Sequence, residues 1–158
     1  MKKNFFSALL LCAIVLLSSC GGDSAGRVND ILVSRSDKVV ELMEKVGNHI
    51  QKDEYDNAKA YLDSVAVHVA TSEPIISALN NKSAEDLKKV TLEYLNLFNA
   101  GVADYKQAIE LYISAQDNEQ MEKANKLIND FIEKTQEKMS EMQDVQAVFA
   151  KANNIILR

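Results

Sequence analysis

The chain has 158 residues, with 18 basic and 23 acidic side chains for a formal charge of −5. Lysine and glutamate are interspersed without a basic block, so the surface repels phosphate backbones and anionic headgroups, which excludes nucleic acid as a partner. One proline and five glycines are too few breakers for a protein of strands and turns.

Lys2 and Lys3 precede an apolar run from Phe5 to Leu17, and the small residues Ser18 and Ser19 follow it. A positive start, an apolar centre and small residues before a cleavage point make up a secretory signal peptide. The run of 13 residues covers about 20 Å at 1.5 Å per residue, short of the roughly 30 Å hydrocarbon core, so it is a poor permanent span. The closing Leu17-Ser18-Ser19-Cys20 resembles the lipobox of bacterial lipoproteins. The resemblance covers residues 1–20. It implies cleavage just before Cys20, a diacylglycerol on the Cys20 sulfur and often acylation of the freed amine. Several acyl chains, at ~0.8 kcal/mol per buried methylene, anchor stably where one myristoyl chain is marginal. Cys20 is therefore expected to be the site of lipidation and the link to the membrane.

On that expectation the chain divides into a signal peptide (1–19), a lipidated Cys20 with a flexible tether (20–27) and a helical domain (28–158). Gly21, Gly22 and Gly26 make the tether small and without apolar period. In enteric lipoproteins an Asp directly after the lipidated Cys favours the inner membrane. Here that position is Gly21, so the resemblance implies the outer membrane, with the periplasmic side and the cell surface both open. Cys12 would leave with the leader, and Cys20 would be consumed by lipid. The mature chain would then have no thiol pair for a disulfide, zinc or redox centre. Without Lys2 and Lys3 it would carry 16 basic against 23 acidic side chains, a formal charge of −7, and its 139 residues suit one sizeable core.

The remaining sequence reads as helix. Leu32, Val39, Met43, Val46 and Ile50 share a face, and Lys52-Asp53-Glu54 breaks it. Tyr55, Ala58, Leu62, Val65, Val69, Ser72, Ile76 and Leu79 then recur in steps of three and four, a heptad seam. The seam runs through Pro74, which removes the hydrogen bond to the Ala70 carbonyl, so the helix either kinks or restarts with Ser72 as cap; the unbroken register favours a kink. Ser83 is the expected cap of the third helix, with Glu85 and Asp86 in its first turn. Its stripe of Leu87, Val90, Tyr94, Leu95, Phe98, Val102, Tyr105, Ile109 and Tyr112 is wide enough to face more than one neighbour. The fourth helix starts near Asp117 or Asn118, with Met121, Ala124, Ile128, Phe131, Met142, Val145, Phe149 and Ile156 on its seam. Thr135 and Lys138 interrupt that seam.

Four such segments joined by short polar turns specify an all-α, antiparallel, up-down-up-down four-helix bundle with long helices. Tyr55–Tyr61 and Tyr105–Tyr112 look like tetratricopeptide helices, yet they lie 50 residues apart, not a multiple of about 34. The body also resembles the small all-helical lipoproteins that Gram-negative bacteria carry on the cell envelope, through its architecture and the run Val148–Asn153.

Chemistry is sparse. His49 and Asp53 fall one turn apart and could share a face, as ligands or as a surface pair, but two ligands do not make a metal site. No Glu-x-x-His pair, haem motif, nucleotide loop or nucleophile elbow occurs, so no metal, cofactor or catalytic residue is expected. Met43, Met121, Met139 and Met142 suit core gaps. Tyrosine is the one type that marks a possible ligand or partner face: Tyr94, Tyr105 and Tyr112 share a side of the third helix, and Gly101 between them either permits close helix approach or leaves a pocket. Two functions are compatible with this inventory. One is a membrane-anchored, non-enzymatic module that engages another envelope protein or serves as structure. The other is a small-molecule binder with a pocket near Gly101 and these tyrosines.

Overall fold

The computed structural model describes residues 22–157, and Cys20 lies outside them. The described chain is helical: α1 (Ala25–Ile50), α2 (Tyr55–Ser77), a short 3-10 turn (Lys82–Ala84), α3 (Glu85–Ser114) and α4 (Asn118–Ala152). No strand occurs among the described residues.

Ser24 starts α1, its side chain accepting from the Arg27 N–H at 3.3 Å, so the helix begins inside the stretch expected to be tether. Val28, Leu32, Val39, Leu42 and Val46 are its buried face, with Asn29 and Ser36 buried among them. The helix stops where Asp53 takes a left-handed conformation, φ 58°, and the Glu54 N–H donates back to the His49 carbonyl at 2.9 Å.

The seam expected for α2 is the buried one: Ala58, Leu62, Val65, Val69, Ser72 and Ile76 all face inward. The helix passes through Pro74 and ends three residues later, with no restart at Ser72. Ser72 is buried, and its hydroxyl donates to the His68 carbonyl at 2.7 Å, so it is bonded back along the helix and caps nothing. Ser83 is not the cap of the next element either. The N-cap position of α3 is Ala84, with no side-chain cap bond, and Asn81 caps the preceding 3-10 turn, its Oδ1 accepting from the Ser83 N–H at 3.0 Å. Asparagine wins here because the capped turn starts one residue after it, at Lys82.

Asp117 caps α4 through the Gln120 N–H at 2.9 Å, as its spacing indicates. Two seam residues expected in the core are exposed. Met121, 43 % exposed, sits in the first turn, before the first buried residue, Ala124. Ile156, 87 % exposed, lies beyond the helix end, because a left-handed Asn154 (φ 55°) breaks the register after Ala152.

Named pairs tie the helices together. His68 Nε2 lies 2.9 Å from the Arg35 carbonyl, and His49 stacks on Tyr61 with centroids 5.2 Å apart. Lys106 meets Asp63 at 2.6 Å, and Lys59 meets Glu110. Lys138 meets Glu93 at 3.0 Å, and the Tyr112 hydroxyl donates to Asn125 at 2.7 Å. Between α1 and α4, Gln146 donates to Asn29 at 2.9 Å and the Ser36 hydroxyl approaches the Met142 sulfur at 3.6 Å. One hydrophobic cluster runs through all four helices, with Leu32, Leu62, Tyr94 and Phe131 among its members. Backbones approach closely between α1 and α2, α2 and α3, and α3 and α4, and to a lesser degree between α1 and α3, whereas α1 and α4 are bridged by the side chains just named.

Candidate functional site

The tyrosines come together only in part. Tyr94 is 1 % exposed and packs edge-on against Phe98, which in turn meets Phe131 edge-on; Tyr105 meets the same Phe131 ring at 5.2 Å. T-shaped pairs of this kind set the positive edge of one ring on the negative face of the next. Tyr94 and Tyr105 are thus core residues. Burial, with a lesser contribution from the Asp37 charge, pushes the Tyr94 hydroxyl up to about 12, and burial likewise pushes Tyr105 up to about 12. Tyr112 alone is half-buried, stacked on Tyr55 at 6.5 Å and donating to Asn125. Gly101 does permit close approach: a Cβ there would overlap Cε2 and Cδ2 of Phe131. Of the two alternatives at Gly101, close approach and a pocket, the Phe131 ring occupies the space of the second.

His49 does not have Asp53 as its partner. His49 Nδ1 pairs with Glu54 and not with Asp53, whose carboxylate accepts from the Tyr55 hydroxyl at 2.8 Å. The left-handed bend at Asp53 turns its side chain away from the α1 face that carries His49. His68 is half-buried, its Nε2 held between the Arg35 carbonyl and the Ser72 hydroxyl at 3.4 Å. Among the described residues no group of three or more His, Cys, Asp or Glu side chains is placed to hold a metal. The hydroxyls of Ser64, Thr71, Ser72, Ser114 and Thr135 all donate to carbonyls one turn back, that of Ser72 while also lying beside His68 Nε2.

The principal concavity lies elsewhere, along α1. A solvent-open groove of about 1280 Å³ is lined by Asn29, Val33, Arg35 and Lys38 of α1, Gln146 of α4, and the segment Ile155–Leu157. A narrower cleft beside it shares Val33 and Gln146 and reaches Leu32, Ser36, Thr91 and Met142. Buried Asn29 and Ser36 of α1 are bridged to Gln146 and Met142 of α4 beside the groove. Its walls are amphipathic. At the far end of the groove wall, hydrogen bonds from Lys38 and Lys45, each at 2.7 Å, hold the Glu41 carboxyl down to about 2. Nothing in the tyrosine pattern indicates this groove; the only trace in the sequence is the gap in the α1 seam between Leu32 and Val39, where Ser36 stands.

A second feature fixes the start of the described chain. The Asp23 N–H donates to the Asn80 carbonyl at 2.8 Å, the Asn80 N–H donates to Asp23 Oδ2 at 2.9 Å, and Asn81 Nδ2 donates to the Asp23 carbonyl at 2.8 Å. Arg27 pairs with the other Asp23 oxygen at 3.0 Å. Gly22 must lack a side chain here, since a Cβ would run into the Asn80 carbonyl group. These residues form a latch on the α2–α3 connection, where a free tether was expected.

Protein-family models, curated proteins and solved structures contain no match to the chain. No helix of the described residues is long and apolar enough to cross a membrane.

Proposed function

We propose that the protein is a lipid-anchored lipoprotein of the bacterial cell envelope, attached through Cys20, most consistent with the outer membrane, whose helical domain is a non-catalytic module for engaging another envelope protein. The leader and Leu17-Ser18-Ser19-Cys20 support the anchor. An up-down-up-down bundle is the architecture that fits the connections. Pairs 35/68 and 49/61, 63/106 and 59/110, 93/138 and 112/125, and 29/146 and 36/142 each run upward on one helix as they run downward on its neighbour.

The groove along α1 is the observation that carries the interaction reading. It is open, about 1280 Å³, and combines aliphatic Val33 and Ile155 with Arg35, Lys38 and Asn29, the mix of apolar contact and polar positioning that a protein segment requires. The competing small-molecule pocket loses its support where Phe131 fills the space over Gly101.

Photo-crosslinking in native envelope tests this reading. A photoreactive residue at Val33 should give a discrete, reproducible adduct, whereas one at Glu137, on an exposed face of α4, should not. Equal or absent adducts at both positions would count against the groove. For the anchor, Cys20→Ser should abolish incorporation of a fatty-acid analogue, and label persisting on that variant would refute the lipobox assignment.

A further inference from the structure

We infer that the end of the bundle formed by the Asp23 latch, the α2–α3 connection and the segment Asn153–Leu157 is a lipid-contacting surface, with Ile156 and Leu157 entering the bilayer interface beside the anchor; the inference rests on the lipoprotein reading above. Three observations converge on this end. First, covalent geometry leaves little slack. Cys20 is two residues from Gly22, a reach of at most about 7 Å, and Gly22–Asp23 are bound to Asn80 and Asn81. A lipid on Cys20 therefore brings this end, and no other, against the membrane.

Second, the segment after α4 is brought to the same place. The Ser83 hydroxyl donates to Asn153 Oδ1 at 3.3 Å, and the Ile155 N–H donates to the Ala150 carbonyl at 2.9 Å beyond the left-handed Asn154. Ile155 packs partly against the core, and Ile155–Leu157 line the same groove as Gly26, Asn29 and Asp30 of the first turns of α1. Ile156 is 87 % exposed and Leu157 43 %, so two large aliphatic side chains stand in water just past the residue that Ser83 holds. Third, two of the basic groups at this end are paired within the fold. Arg27 is paired with Asp23, and the Lys88 ammonium is taken up by the Leu79 carbonyl at 2.8 Å and Glu85 at 3.1 Å. Aliphatic groups next to a lipid anchor gain from each methylene that leaves water, and a bundle fixed at this end stands with its long axis away from the membrane.

The chain contains no tryptophan, so single Ile156→Trp and Ile113→Trp variants report alone. Ile113, 52 % exposed, is the control; it lies near the other end of α3, roughly 40 Å away at 1.5 Å per residue. The full chain of each variant is expressed in a Gram-negative host and reconstituted into phosphatidylethanolamine–phosphatidylglycerol vesicles with brominated acyl chains, and the mass of the Cys20 peptide is read on the same preparation. The expected result is several-fold stronger bromolipid quenching for Ile156→Trp than for Ile113→Trp. With Cys20 lipidated, equal quenching overturns the proposal, as does a blue-shifted but unquenched Ile156→Trp, which would mean that protein and not lipid covers the segment. An unmodified Cys20 peptide refutes the lipoprotein reading itself, and the lipid-contacting surface falls with it.

Discussion

Phe131 of α4 stands in the space that a side chain at Gly101 of α3 would need. A Cβ at Gly101 would overlap the edge of the ring, and the same ring is gripped edge-on by Phe98 and Tyr105 of α3. Helix propensity and packing therefore oppose each other at this position. Alanine favours an isolated helix by about 1 kcal/mol over glycine, whereas overpacking a core typically costs ~1 to 3 kcal/mol. Gly101→Ala is expected to lower stability by a net ~0 to 2 kcal/mol. Denaturant midpoints decide it, and combining the change with Phe131→Leu should recover part of the loss, since the two positions share one space.

The aromatic chain predicts a contrast in truncation. Phe98 and Phe131 are both buried, so Phe→Ala at either is expected to cost ~3 to 5 kcal/mol, while Glu137→Ala on an exposed face stays within about 0.5 kcal/mol. Urea melts of the three variants measure this. Similar midpoints for all three would mean that the Phe98–Phe131 contact is not part of the stable core.

Tyr94 carries a buried hydroxyl with no hydrogen-bond partner among the described residues. Leaving such a group unsatisfied costs ~1 to 3 kcal/mol, so Tyr94→Phe, which deletes only the oxygen, is expected to be neutral or to stabilise by about 1 kcal/mol. A rise or no change in melting temperature is the expected readout. A loss above about 1 kcal/mol would reveal a partner for the hydroxyl.

Alkaline pH should destabilise the fold through the same tyrosines. Tyr94 and Tyr105 both titrate near 12 when folded, above their ordinary value of 10.0, because burial disfavours the phenolate. The unfolded chain then loses protons first, and stability falls as pH rises from about 10 to about 12, by an amount on the order of 2 kcal/mol per tyrosine. Below 10 these two groups contribute no pH dependence. The lysines at 45, 123 and 138, raised by their carboxylate partners, add to the decline in the same direction. Chemical denaturation at pH 9 to 12 measures the slope, which should be shallower in Tyr94→Phe.

The Asp23 latch should matter for order at one end more than for global stability. Asp23→Ala removes the bond to the Asn80 N–H and the exposed pair with Arg27, for an expected loss of about 1 kcal/mol. Gly22→Ala attacks the same latch from the backbone, since its Cβ meets the Asn80 carbonyl. Hydrogen exchange at the Asp23 and Asn80 amides should accelerate in both variants while exchange in the centre of α3 is unchanged.

Periodicity alone located the four helices and most of their buried faces. The α2 seam from Ala58 to Ile76 and the wide α3 stripe around Tyr94 and Phe98 are as their spacing indicates, because a helix can bury only the side on which apolar residues recur at three and four. The Asp117 cap was equally legible, being a local bond between a side chain and an N–H three residues on. The reach of a pattern ended where the chain changed direction. Ile156 kept the α4 register in sequence but lies past Asn154, whose left-handed turn breaks it, and Ser83 had the composition of a cap while Asn81 held the geometry.

What the tertiary structure decided is everything that depends on two segments distant in sequence. Whether Gly101 opens a pocket or seats a ring turns on the α4 residue opposite it, Phe131, 30 positions away. The latch joins Asp23 to Asn80 across 57 positions, and Asn29 meets Gln146 beside the groove across 117. No local spacing encodes such meetings, because their partners are chosen by how whole helices pack. Amphipathic period sets which face of a helix turns inward; the shape and polarity of the facing helix set what that face encloses.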